Sequence, residues 1–316
     1  MINLFFQIAV SAALLVLLLR LINIPDMVLL FKNINILYLI LLLALITADR
    51  ILMAYKWHLL LKVRDIGVSL TGAIRIYYIA TFVGFFLPTT VGGDIVRIIK
   101  IRSEKHKGAD ALSSVVLERM LGFIASAIFA SAAALLLVFY LKLNVWNFFL
   151  IAGAVLLIFT SIVLVMFNGR VAGKIESNKR LSENFILNKL LGAYKSYLQY
   201  RRHKKTLVMF FVLSMIEQMA PVIGNYLAGM ALNLKIPFIY FLLIMPVIQL
   251  ITRIPVSFEG LGVTEGLLVY FFLLLGLSKT DAFSVGLLGH IAVIVATLPA
   301  LFFYIRDIKT SFLQNR

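Results

Sequence analysis

The chain has 316 residues, of which 62% are hydrophobic and only 14% charged, and its mean hydropathy is +1.02. No soluble domain of this length hides that much apolar surface, so the chain reads as an all-α, polytopic integral membrane protein. The absence of cysteine excludes disulfides and thiol chemistry, and the net charge of +16 sits in short loops beside apolar spans, which points to anionic lipid headgroups rather than nucleic acid.

The first apolar run reaches Leu19 without a basic stretch before it, and Arg20 follows it, so it reads as a retained span and not a cleaved signal. Six spans are expected at about 3–22, 34–52, 113–140, 148–167, 206–231 and 283–305. The segments 68–96 and 237–276 are ambiguous. Residues 50–64 (Arg50, Lys56, Lys62, Arg64 against Asp49 and Asp65) and residues 97–107 read as basic loops flanking 68–96. Basic loops prefer the cytoplasm, so 68–96 is expected to dip in and return as a re-entrant hairpin. The basic loop 168–205 is expected in the cytoplasm, as are both termini, at the cell membrane. For 237–277 two arrangements fit: two full spans, giving eight spans plus one hairpin, or a second hairpin entering from outside. Pro246 and the shortness of 237–251, against the ~20 residues needed to cross, favour the hairpin.

The two ambiguous segments carry most of the chemistry. Pro88 ends one half-helix, Gly92 and Gly93 permit a tight approach, and Asp94 and Arg97 open the next helix. A helix start is an anion site, although Asp94 also suits an N-cap and Arg97 could snorkel. The second segment holds Arg253, Pro255, Ser257, Glu259, Gly260, Gly262 and Glu265. Ionisable groups at membrane depth face a cavity or pair with each other, and Arg253–Glu259 is one such pair to consider. Glu118, Arg119 and Glu217 lie within spans. Adjacent residues on a helix do not face each other, so Glu118 and Arg119 need separate partners, with Asp94 a candidate for Arg119. The four histidines (His58, His106, His203, His290) lack ligand spacing, so no metal is expected. No nucleophile–base constellation or nucleotide fingerprint occurs, and no cofactor is expected.

The run Phe86-Leu87-Pro88, Gly92-Gly93-Asp94-x-x-Arg97, Val116-x-Glu118-Arg119, Arg253-x-Pro255-x-Ser257, Gly260-Leu261-Gly262-x-x-Glu265-Gly266 resembles the lysylphosphatidylglycerol synthase transmembrane-domain (flippase-like, UPF0104) family. The resemblance covers essentially the whole chain and implies one transmembrane domain over 1–316, with halves at about 1–140 and 148–316. Loop charge and the two broken segments already point to an inverted-repeat-like fold with two opposed hairpins; the resemblance adds a lipid flippase that carries an anionic, aminoacylated or lipid-linked headgroup through a polar cavity. Relatives that make aminoacylated lipid carry a soluble aminoacyltransferase domain. This sequence ends at Arg316, so lipid synthesis is not expected. The alternatives are a membrane-embedded lipid-modifying transferase, with Asp94 or Glu265 as base, and a non-catalytic partner of a lipid-modifying enzyme. Membrane lipids are the expected partners, with a homo-oligomer or a lipid-synthesising enzyme as further ones.

Overall fold

A computed structural model describes residues 4–84, 92–102, 108–167, 194–254 and 257–304, and those residues are helical with short connections. Pro88 and Pro255 lie outside them, as does most of the basic loop 168–205. The helices are α1 (Leu4–Leu21), α2 (Ile24–Lys32), α3 (Ile36–Val63), α4 (Leu70–Gly84), α5 (Gly92–Arg102) and α6 (Gly108–Phe139). After these come α7 (Trp146–Met166), α8 (Lys204–Glu217), α9 (Met219–Ala231), α10 (Phe238–Thr252), α11 (Val263–Leu274) and α12 (Lys279–Thr297). Among the described residues, α3, α6, α7, the α8–α9 pair and α12 are long and apolar enough to cross a membrane. The chain turns by 95° between α1 and α2. Asn23 caps α2 there, and Pro25 fits the first helical turn.

Side-chain ties identify the two ends of the bundle. At one end Arg64, just past α3, pairs with Asp110 in the first turn of α6. Ser196 donates to the same carboxylate at 2.6 Å, and Tyr200 donates to the Leu60 carbonyl at 3.2 Å. At the other end the Asn35 amide donates to Ala231 at 2.7 Å, Asn233 donates to the Asn33 carbonyl at 2.6 Å, and the Asn23 amide donates to Thr280 at 3.1 Å. Since α1 and α12 both meet the Asn35 end through Asn23 and Thr280, the start of α1 and the end of α12 share the Arg64 end.

This frame places the short helices. The start of α4 and the end of α5 pack at the Arg64 end, where Ala73 and Ile101 join Leu61 and Ala111 in one apolar cluster. The start of α10 and the end of α11 meet near the Asn35 end, where the rings of Phe241 and Phe272 lie 5.9 Å apart. At 15, 11, 15 and 12 residues, these four helices are about 16 to 22 Å long, short of a ~30 Å hydrocarbon core. They form two hairpins that enter from opposite ends. The described ends of the helices beside each break reach about half depth: Glu118, which meets α5, lies about 15 Å into α6, and His290, which meets the second hairpin, lies about 16 Å into α12.

The loop reading of 50–64 and 97–107 is corrected: 50–63 and 97–102 are helical, because α3 continues through Val63 and α5 through Arg102. No proline or glycine interrupts 36–63, Lys56 pairs with Glu217 inside the bundle, and Asp49 and Arg50 pair with each other. The span expected at 206–231 is present as α8 and α9, which together are long and apolar enough to cross, with the helix released at Gln218. Pro221 explains the release: it lacks an amide hydrogen, and its ring crowds the carbonyl four residues back, that of Glu217.

The first hairpin closes on a glycine. A Cβ at Gly93 would stand 2.9 Å from the Ala80 carbonyl oxygen, whereas one at Gly153 on α7 would meet nothing within 4 Å. Gly93→Ala is expected to lower stability by about 1–3 kcal/mol through overpacking. Gly153→Ala is expected to be neutral or mildly stabilising. Thermal unfolding in detergent compares the two.

Candidate functional site

Both hairpin tips border one cavity of about 590 Å³, within the ~300–1,000 Å³ of small-molecule sites. Its wall runs along α3 from Leu42 to Lys56, about 21 Å of helix. Gly93, Asp94 and Arg97 come from the first hairpin; Thr252, Arg253, Glu259 and Gly260 come from the second. Glu118 and Arg119 of α6, Glu217 at the end of α8 and His290 of α12 complete the polar wall. Five basic side chains (Arg50, Lys56, Arg97, Arg119, Arg253) face five carboxylates (Asp49, Asp94, Glu118, Glu217, Glu259).

Most of these charges are engaged with each other. Asp94 lies in the first turn of α5 and is not the N-cap; its carboxylate accepts from Arg97 and from Arg119. Arg97 also donates to Glu118 at 2.6 Å, and its guanidinium lies 5.0 Å from the Trp57 ring centre and 4.7 Å from that of Tyr77. Planar stacking against rings combined with forked donation to carboxylates is chemistry that lysine lacks. Tyr77 donates to the other Glu118 oxygen at 3.3 Å. Glu118 and Arg119 thus find separate partners, and Asp94 is the partner of Arg119. Next to Trp57 on α3, Lys56 pairs with Glu217 and lies 4.8 Å above the Phe210 ring.

The second hairpin holds its shape differently. Glu265 is fully buried, accepts from the Gly262 amide at 2.7 Å and meets His290 Nδ1 at 2.6 Å. It caps α11 from within. The preceding segment puts Glu259 (φ 50), Gly260 (φ 77) and Gly262 (φ 82) in the left-handed region. Glutamate there is strained, and such strain persists only where the surroundings impose it. Helix α1 supplies part of that constraint: Ser11 accepts from the Phe258 amide at 2.9 Å, and a Cβ at Gly262 would lie 2.8 Å from Leu14 Cβ. Ser257 is buried beneath.

Arg253 and Glu259 differ from the rest. Among the described residues neither has an ion-pair partner, so the Arg253–Glu259 pair does not form. The Arg253 guanidinium lies 5.3 Å from the Phe123 ring centre, over a gap left by Gly122. Asp49, Arg50, Lys56 and His290 belong to the wall as well, and sequence reasoning missed them. Asp49, Arg50 and Lys56 had been counted as loop charges; a histidine eleven residues into an apolar span was the available signal for His290.

The lysylphosphatidylglycerol synthase TM region family model matches residues 4–300, and the chain belongs to that family. It is 26% identical over 261 residues to a UPF0104 membrane protein of Pyrococcus horikoshii, covering 75% of this chain and 77% of that one. No solved structure matches.

Removing Arg97 would strand two buried carboxylates, whereas removing Arg253 strands none among the described residues. Arg97→Met is therefore expected to cost about 3–5 kcal/mol of stability. Among the described residues Arg253→Ala loses only the contact with the Phe123 ring and is expected to cost about 0.5–2 kcal/mol, less than Arg97→Met. Urea or thermal unfolding in detergent separates the two.

Proposed function

We propose that this protein moves a lipid headgroup between leaflets through the cavity while the acyl chains stay in the bilayer, and that it does not modify the lipid. The observation that carries this reading is the meeting of two opposed hairpins at one half-depth cavity. Charged groups inside a bilayer are costly and mark pathways, and paired broken helices at the midplane are a transporter's way of building a site. The family's tie to lysylphosphatidylglycerol synthase points to a lipid as the cargo.

The division of labour follows from the pairing. Arg97, Asp94, Glu118 and Arg119 hold the first tip together. Arg253 offers a guanidinium to a phosphate, for which its planar fork is suited. Glu259, across the sign boundary, receives hydroxyl or cationic parts of the headgroup. Glu265 acts on the cargo only through the backbone it caps and through His290. The Arg64 end faces the cytoplasm in this reading, because Lys62, Arg64, Lys195, Arg201, Arg202, Lys204 and Lys205 flank it.

The test is leaflet exchange of a headgroup-labelled phosphatidylglycerol in vesicles containing the purified protein. Wild type is expected to speed exchange over protein-free vesicles. Arg253→Ala is expected to slow it about ten- to hundredfold, the effect of losing one charge-assisted hydrogen bond in the crossing state. Equal rates in wild-type, Arg253→Ala and protein-free vesicles contradict the reading. Chemical turnover of the lipid in detergent, with no bilayer present, would support a transferase instead.

A further inference from the structure

His290 stands between two hydrogen-bond acceptors. Its Nδ1 meets the Glu265 carboxylate at 2.6 Å, and its Nε2 meets the Glu259 main-chain carbonyl at 3.3 Å. A neutral imidazole carries one N–H and cannot donate to both. Only the imidazolium, with a hydrogen on each nitrogen, satisfies both contacts. The buried carboxylate of Glu265 supplies the countercharge, and its second oxygen already holds the Gly262 amide.

These contacts tie α12 to two points of the broken segment. Glu265 grips its exit at Gly262, and the imidazole grips its middle at Glu259, where the backbone is left-handed. The Glu259 side chain projects to the cavity wall. We infer that His290 and Glu265 form a proton-binding site, and that the bound proton latches the 257–262 segment, fixing where Glu259 stands in the cavity. When the proton leaves for cavity water, the carboxylate, as the stronger acceptor, keeps the remaining N–H on Nδ1. Nε2 then turns a lone pair toward the Glu259 carbonyl, and that hydrogen bond is lost. The strained turn is released from α12 on one side.

Other charged groups border the same wall. They are Asp49, Arg50 and Lys56 of α3, Tyr77 of α4, Asp94 and Arg97 of α5, Glu118 and Arg119 of α6, Glu217 at the end of α8, and Arg253. Asp26 and Asp281 sit in first turns at the Asn35 end, beyond reach of the ring. Among the described residues, Glu265 is the one carboxylate side chain hydrogen-bonded to the imidazole. The coupling to cargo movement rests on the proposed flippase reading; the proton site and latch do not.

Two measurements test the site without any transport assay. In protein labelled with ¹⁵N-histidine, with the other three histidines assigned by substitution, His290 is expected to show hydrogens on both ring nitrogens at pH 7. It is expected to lose one as pH rises. A neutral ring at pH 7 overturns the proposal. The second uses Ser257→Cys in this cysteine-free chain, because Ser257 is only 3% exposed. Its alkylation rate, divided by that of the Ser257→Cys, His290→Gln double variant, removes the thiol's own pH dependence. The ratio is expected to rise at least about tenfold across the His290 titration, the shift expected from losing one hydrogen bond to a charged group. A ratio that stays flat with pH overturns the latch. If both measurements behave as expected while leaflet exchange is unchanged by protein, the proton site stands and the flippase reading falls.

Discussion

The guanidinium of Arg97 is buried between the carboxylates of Asp94 and Glu118 and the rings of Trp57 and Tyr77. Those partners come from α3, α4, α5 and α6, so one cation fixes where four helices meet. Removing three ionised groups from water costs several kcal/mol per ion, and only close geometry with further hydrogen bonds offsets that. Tyr77 and Arg119 supply those bonds on the carboxylate side. The arrangement is worth more as a locator than as a source of stability: it fixes the start of α5 against α3, α4 and α6 at about half depth.

The second hairpin solves the same problem with less charge. Glu265 satisfies the start of α11 from inside, and α1 closes over the segment through Ser11 and Leu14. The two solutions leave different residues available. In the first tip the arginines are held by carboxylates. In the second, Arg253 rests on the Phe123 ring and Glu259 sits on a strained turn, both facing the cavity. A site built this way has one wall whose charges are paired and another that presents an arginine and a glutamate without ion-pair partners among the described residues.

Much of this was legible in the residues. Proline and glycine next to unlike charges marked both broken segments, since such backbone survives at membrane depth only when surrounded by protein or a wet cavity. Loop charge then led to opposed hairpins, and the ties at the Arg64 and Asn35 ends bear out that topology. Charge counting failed at α3, where Asp49, Arg50 and Lys56 were read as loop. A basic residue facing a buried cavity and one facing cytoplasm look the same in a tally. Glu217, 161 positions away from Lys56, is what allows the helix to continue. The histidine at 290 was passed over for a related reason: its partners are Glu265, on a different helix, and a main-chain carbonyl, and neither forms a local motif.

The central claim is that a lipid headgroup, and not an acyl chain, occupies the space between the two tips. Photo-crosslinking measures this most directly. A benzophenone side chain would be placed at Gln249, which lines the cavity, and at Leu157, which is 71% exposed on the outer face of α7. Each variant would be illuminated in phosphatidylglycerol vesicles isotopically labelled in the headgroup or in the tails. The account predicts headgroup adducts at Gln249 and tail adducts alone at Leu157. Tail adducts alone at both positions, or no lipid adduct at Gln249, would contradict it.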